Sequence, residues 1–375
     1  MAPRDGSGLQ RITLLIGQLG LGGTETQVSL LARELHGRGF VVDVVLLSKG
    51  GPHEATLRAA GVGVHHVGFS RRSPGQGPLT RNLRIFVRLV WLLRRLRPDV
   101  LHAFVLESYT LGAPAALLAR APIVIAGRRR LSDIKQRRRL WFTLGGAVTR
   151  ITDHVVANAR AVAEDAMTVE GIPSHKLSVI YNGLPDSAFD SVEPAAIDTD
   201  LPVVVCLARL RQVKGHRFLL DAAALLAEQG TPCTLVLVGD GPEEDKIKEY
   251  ASGLDIDVRF VGPVTDSRAW LARADVVVLP SISEGFSNAI MEAMAQSRPI
   301  VATAVGGTPE LLADRGVLVP PADPVALSLG IAKLLCDQEL AVLLGDAARA
   351  WAAKHLDATT MVEEHVKLYR RLLER

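Results

Sequence analysis

Apolar residues along this chain fall into two alternating rhythms. Short continuous runs bounded by turn residues give way to longer stretches with apolar positions every three or four residues. The runs predict buried strands at 11–16, 41–46, 64–66, 100–102, 123–126 and 154–157. Between them the helical period predicts helices at 26–37, 81–97 and 160–170. The second half repeats the scheme, with strands at 203–207, 235–238, 258–260, 275–279 and 300–302 separated by helices. Continuous β-branched runs alternating with helices imply parallel sheets covered on both faces. The expected fold class is α/β, with two doubly wound domains in series. Residues 185–202, rich in Asp, Ser, Pro and Ala and without periodicity, predict the linker. The first domain is then 1–185, joined by a last helix, 357–375, packing back onto it, and the second is 186–356. Open parallel sheets take ligands outside the carboxyl ends of their strands. Two such domains facing across a cleft are expected to hold a ligand between them.

Length and composition agree with this picture. A chain of 375 residues can build two cores, and 48% hydrophobic with 22% charged residues is ordinary for globular proteins. Three scattered cysteines, Cys206, Cys233 and Cys336, argue for a reducing compartment and against a disulfide framework or clustered zinc site. With no secretory signal apparent and no uncharged run of about 20 residues, the expectation is a cytoplasmic chain, able to sit peripherally at the inner face of the plasma membrane. The net charge of +3 hides an asymmetry. Up to Asp190 there are 25 Lys and Arg against 14 Asp and Glu, and beyond it 18 against 26. Different partners are therefore expected for the two halves.

The segment richest in chemistry runs from Glu284 through Gly285, Phe286, Ser287 and Asn288 to Glu292. It follows a predicted strand and enters a predicted helix that Ser287 or Asn288 can cap. Such a turn offers backbone N–H groups at a helix start, which suits an anion. A carboxylate there can accept hydrogen bonds from sugar hydroxyls beside a bound phosphate, so the segment reads as a sugar-nucleotide site. Arg209 and Lys214 flank the loop after the strand 203–207. A guanidinium and an ammonium can neutralise the charge growing on a departing diphosphate, although surface cations at a helix start read the same way. Near the N-terminus, Gly17, Gly20, Gly22 and Gly23 form a loop that lets backbone approach a phosphate or simply turns tightly; their spacing departs from G-x-G-x-x-G. Asp240 and Gly241 mark a turn that could border a nucleotide. The pairs Asp198/Asp200 and Asp255/Asp257 read as structural, so no metal site is expected. Arg81, Arg84, Arg88 and Arg95 form one stripe of the helix 81–97, with Leu83, Phe86, Val90 and Leu93 assigned to its opposite side. That stripe is either a solvated face or a contact for an anionic membrane surface. Arg128–Arg130 and Arg137–Arg139 offer further cations for an anionic acceptor or lipid head groups; without an aromatic stacking platform, nucleic acid is not an expected partner.

Taken together, Gly22-Gly-Thr-Glu25, Pro98-Asp-Val-Leu-His102, Val179-Ile-Tyr-Asn-Gly183, Arg209…Lys214-Gly215, Val238-Gly-Asp-Gly-Pro242, the Glu284/Glu292 pair and Gly306-Gly-Thr-Pro-Glu310 resemble family 4 of the retaining glycosyltransferases, which adopt the GT-B fold. The resemblance covers nearly the whole chain. It implies transfer of a sugar from a nucleotide-sugar donor, a substrate rather than a cofactor, to a glycan or lipid-linked acceptor in cell-surface polysaccharide or glycolipid synthesis. It also implies retention at the anomeric carbon without a required metal. Arg209 and Lys214 would hold the diphosphate, Glu284 the donor sugar and Glu292 the ribose. The backbone at Phe286–Asn288 and the glycine at 23 would border sugar and phosphates. The chain departs from the family where a histidine commonly follows the strand 123–126. Here Arg128 and Arg129 stand in that neighbourhood, with His102 at the preceding strand end, as candidates for an acceptor or a donor sugar. Alternatives are a soluble-acceptor transferase, a GT-B sugar phosphorylase, or a catalytically silent protein that binds glycan or nucleotide.

Overall fold

The computed structural model describes residues 8–48, 50–68, 78–132 and 148–375, and in 78–81 the backbone alone. The chain divides into two compact units, one ending at Gly183 and regained from Ala358 onward, the other Leu184–Asp357. In the first unit seven parallel strands lie in the order β3-β2-β1-β4-β5-β6-β7. They are β1 Arg11–Ile16, β2 Val41–Leu46, β3 Gly63–His66, β4 Val100–Phe104, β5 Ile123–Arg128, β6 His154–Ala157 and β7 Leu177–Val179. β1 is an interior strand, where Ile12 pairs with Val42 on one side and Val100 on the other. Strands covered on both faces favour consecutive apolar residues, as at Leu14–Ile16, Val44–Leu46 and Ile123–Ala126. Alternate residues then feed two cores. Leu14 and Ile16 pack with the helices Gly23–Gly37 and Ala358–Leu373, while Leu15, Leu101 and Ala103 pack with Pro78–Leu96 and Leu106–Ala119.

The second unit holds six parallel strands in the order β10-β9-β8-β11-β12-β13. These are β8 Val203–Leu207, β9 Thr234–Val238, β10 Asp257–Gly262, β11 Val276–Leu279, β12 Ile300–Thr303 and β13 Val317–Val319. Val204, Cys206, Leu235, Leu237, Val276 and Val278 join Leu219, Leu226, Leu327 and Ile331 of the covering helices in one core. Both sheets therefore share one winding: three strands step outward one way, then the chain returns to the centre and steps the other way.

The structure adds elements that periodicity does not predict. β7 and β13 are only three residues long. Helix Leu106–Ala119 is apolar or small nearly all round and contains Pro114, so no amphipathic period marks it. The stretch 185–202, expected as the linker, falls in the second unit and is tied to it near its start. Its carbonyls are captured by the second unit: Gln296 Nε2 donates to Ala188 at 2.6 Å, Arg349 Nη2 to Phe189 at 2.7 Å and Arg268 Nη1 to Ser187 at 2.7 Å. Irregular backbone anchored by side chains carries no hydrophobic rhythm.

Several histidines are buried inside these cores. Burial holds His216 at about 4 and His365 at about 3, below the usual histidine value, and pushes His102 down as well. Because the unfolded chain binds protons at these sites first, their stability contribution is complete above about pH 6.5 and is lost as pH falls toward 4. The thermal midpoint is expected to drop by several degrees between pH 7.5 and pH 5, read by circular dichroism. An unchanged midpoint would mean the buried imidazoles are not held neutral by the fold.

Candidate functional site

In the second unit β8 and β11 lie side by side, and the loops after them leave in opposite directions across the sheet. This is the topological switch point, where open α/β sheets form their ligand crevice. After β8 the chain passes Arg209, makes a short turn at Gln212–Lys214 and enters helix His216–Glu228 through Gly215. Gly215 has φ 69°, and a Cβ there would come within 2.0 Å of the Pro280 carbonyl oxygen. The loops after β8 and β11 thus lie directly on one another. A hydrogen bond from the Ile282 N–H to the Val213 carbonyl, 2.8 Å, fixes that contact.

This contact brings two of the expected residues together. The Lys214 ammonium pairs with the Glu284 carboxylate, and the Ser281 hydroxyl donates to the same carboxylate oxygen at 2.7 Å. Both charged groups are largely shielded, so the pair is held more firmly than a surface ion pair. A third loop locks the arrangement from the far side. Gly306, after β12, has φ 52°, and a Cβ there would meet the Glu284 carbonyl oxygen at 2.0 Å. Next to it the Gly307 N–H donates to the Gly285 carbonyl at 2.8 Å. The fourth loop follows β9, where the Leu210 N–H donates to the Asp240 carbonyl at 2.8 Å and Gly241 lies against Leu210 backbone. Asp240 reaches the exposed Arg209 guanidinium at 3.6 Å. Four neighbouring loops therefore present one fixed cation, Lys214, one open cation, Arg209, and two carboxylates, Glu284 and Asp240, at a single sheet edge.

Helix Asn288–Ala295 begins where this edge ends. Ser287 caps it, accepting from the Ile290 N–H at 3.4 Å, and Phe286 is buried behind the turn. Glu292, in the helix's second turn, accepts from the Ser267 hydroxyl at 2.6 Å. Burial pushes its carboxyl above the usual carboxylate range, and the Ser267 bond opposes that shift.

In the first unit the loop after β1 leads through Gly22, the cap residue, into the helix that opens at Gly23. It packs closely on the loop after β2, since a Cβ on Gly51 would lie 2.0 Å from the Leu19 carbonyl oxygen. Val105, which follows β4 at that sheet's own switch point, has φ 64°, a strained position for a β-branched residue.

Three sequence candidates of this unit are not presented to a ligand. Arg128 is buried; its Nη2 donates to Glu170 and to Thr149, each at 2.7 Å, and its guanidinium stacks over Tyr109 at 4.0 Å. Its charge is thus spent inside the fold. Arg129 is also buried, donating to Asn182 with its guanidinium 5.0 Å from the Phe104 ring, and burial lowers it to about 10. His102 is fully enclosed, bonded through Nδ1 to the Tyr369 hydroxyl at 2.9 Å and stacked on Phe104. Neutral and shielded, it braces the last helix. Arg137–Arg139 lie outside the described residues.

Sequence reasoning passed over Ser281 and Ser267. Ser281 stands three residues before Glu284, an S-x-x-E spacing that is a visible signal for a local side-chain bond. Ser267 bonds Glu292 across 25 residues, and no local pattern announces it.

Comparison with known proteins agrees with this geometry. A family model described as Glycosyltransferase Family 4 matches residues 21–187, and one described as Glycosyl transferases group 1 matches residues 201–337. Over 225 residues the chain is 29% identical to the lipopolysaccharide core biosynthesis glycosyltransferase LpsE of Rhizobium meliloti strain 1021, covering 58% of this chain and 64% of that protein. The chain thus spans just under two thirds of that relative's length. Over 266 residues it is 29% identical to the lipopolysaccharide core biosynthesis mannosyltransferase LpcC of Rhizobium leguminosarum bv. viciae, covering 68% and 73%. The crystal structure of Anabaena HepE in complex with UDP-glucose shares the fold, with a TM-score of 0.82, 23% identity and coverage of 96% and 98%.

Proposed function

Since the chain belongs to the group 1, family 4 glycosyltransferases and has their GT-B fold, we propose that it transfers a sugar from a nucleotide-sugar donor to a glycan or lipid-linked acceptor, with retention at the anomeric carbon. The observation that carries this reading is the Lys214–Glu284 pair at the switch point, with Arg209 open beside it. In the reaction the bond between the sugar anomeric carbon and the diphosphate oxygen breaks, and a bond to the acceptor hydroxyl oxygen forms. The acceptor proton passes to the departing diphosphate. Arg209 can turn from Asp240 toward phosphate oxygens, because its partner is distant and both groups are open to solvent. Lys214 supplies a second, fixed positive charge, so the leaving group is stabilised by side chains without a metal. Glu284, already holding Lys214 and Ser281, is suited to orienting that ammonium and the donor sugar rather than to forming a covalent intermediate. The backbone of Gly285, Phe286, Ser287 and Asn288 then borders the donor at a capped helix start.

Glu292 is assigned to the ribose, with Ser267 orienting its carboxylate. Glu292→Gln is expected to raise the donor KM about tenfold while leaving kcat within about twofold, as lost ground-state hydrogen bonding does. A fall in kcat at unchanged KM would remove Glu292 from the nucleotide.

Retention itself is tested by proton NMR of the product in the presence of EDTA. The anomeric configuration of the donor is expected in the new linkage. An inverted centre, or activity restored only by added metal, would contradict the reading; transfer from a sugar 1-phosphate with release of inorganic phosphate would identify a phosphorylase instead.

A further inference from the structure

The helix Pro78–Leu96 carries an outward pattern that the fold does not use. Its inward residues Ile85, Leu89, Leu93 and Leu96 are buried in the first unit's core. At the helical repeat, Leu83, Val87 and Trp91 form a row about 12 Å long on the outward side. They are 64%, 57% and 60% exposed, so Leu83 does not belong to the buried side assigned to it from the sequence. The neighbouring helix Leu106–Ala119 adds Leu117 and Leu118, at 52% and 53%. Arg94 Nη2 donates to the Leu118 carbonyl at 3.1 Å, which holds the two helix ends together. One exposed leucine is unremarkable on any protein surface, but a row of three beside a further pair on a touching helix is a patch.

Charge identifies what covers it. The helix contains five arginines and no acidic residue. Arg84, Arg88 and Arg95 are exposed along one border of the row, and the Arg95 guanidinium lies 5.8 Å from the Trp91 ring. Arg97 and Arg120, also exposed, follow the ends of the two helices, whose one acid, Glu107, sits in the first turn away from Leu117. A soluble acidic peptide would satisfy the cations and leave the apolar row in water. A second copy of this face would bring arginine against arginine. An anionic bilayer satisfies both at once, since apolar side chains enter the acyl boundary, tryptophan sits at head-group depth and arginines reach lipid phosphates. Among the described residues no helix is long and apolar enough to cross a membrane, so such contact is made on the surface.

We propose that this helix face docks the protein on an anionic phospholipid surface, with Leu83, Val87 and Trp91 in the acyl boundary and Arg84, Arg88, Arg94 and Arg95 on lipid phosphates. The proposal deepens the reading of a lipid-linked acceptor by naming the surface on which that acceptor would be met. Its test needs no donor or turnover, so either reading can fail while the other stands.

The test is sedimentation of the full chain with vesicles of phosphatidylcholine alone or mixed with phosphatidylglycerol, alongside tryptophan emission. Binding is expected only to the mixed vesicles, with a blue-shifted emission and partial release by high salt. Combined Leu83→Ser, Val87→Ser and Trp91→Ser, and separately Arg84→Gln, Arg88→Gln and Arg95→Gln, are each expected to weaken binding by on the order of tenfold or more. All six positions are exposed, so the melting midpoint should not move; Trp91→Ala alone supplies a milder variant. Absence of binding by the unaltered chain overturns the proposal, as does unchanged binding by the serine variant. A dimer that the serine variant converts to monomer, without vesicle binding, assigns the face to a second copy and also overturns it.

Discussion

Lys214→Ala is expected to lower turnover by on the order of 10²–10³-fold, the size of effect seen when a fixed group facing developing charge is removed. Two consequences of the geometry act in the same direction. On the proposed reading the ammonium is lost from beside the leaving diphosphate, and the Glu284 carboxylate loses its cationic partner, keeping the bond from the Ser281 hydroxyl. On that reading the carboxylate would then repel the donor phosphates. Glu284→Ala should cost a comparable factor for a different reason, because Lys214 loses the partner that fixes its position. The double variant is expected to be little worse than the poorer single one, since residues acting as a unit are not additive. Steady-state nucleotide release by the three variants checks this. Fully additive losses would mean that the two side chains work independently.

Gly306→Ala is expected to reduce kcat by about 10²-fold without touching any charged group. The new Cβ would sit 2.0 Å from the Glu284 carbonyl oxygen, and backbone on both sides leaves no flexible side chain to yield. Relief requires the turn carrying Glu284 to shift from its present position against Lys214 by a distance on the order of 1 Å, enough on the proposed reading to misplace a catalytic group. The positive φ adds strain of roughly 1–2 kcal/mol. Gly230→Ala separates the two causes. Gly230 has φ 77° but nothing within 4 Å of a Cβ, so it should lower the melting midpoint with turnover intact. Equal turnover in both variants would sink the claim that the loop after β12 holds the catalytic turn in place.

Much of this site was legible because its strands announce themselves. β8 and β11 are unbroken apolar runs that each open with three valines, and a loop at the end of such a run in a parallel sheet has one place to be. Arg209, Lys214 and Glu284 followed from that placement and from the motif resemblance. What could not be read was the partner of each side chain. β5 runs two residues past its apolar stretch, because Gly127 and Arg128 continue the ladder opposite Val156 and Ala157. Alternation within a strand then sends Arg128 to one face, against Glu170, and the next residue, Arg129, toward Asn182. Glu170 is 42 residues away, so a run of arginines that looked available for an anion gave no sign of its internal partner. Leu83 failed for a similar reason: it lies at the edge of the helix's apolar arc, and the neighbouring elements decide whether such an edge is covered.

The most direct test of the central claim is nucleotide release from a panel of UDP-, GDP- and ADP-sugars by the unaltered chain and by Lys214→Ala in parallel. The unaltered chain is expected to consume a nucleotide-sugar from the panel, and the variant to bind that donor but turn it over at least about a hundredfold more slowly. Binding without consumption by the unaltered chain, or equal consumption by both, would contradict that claim.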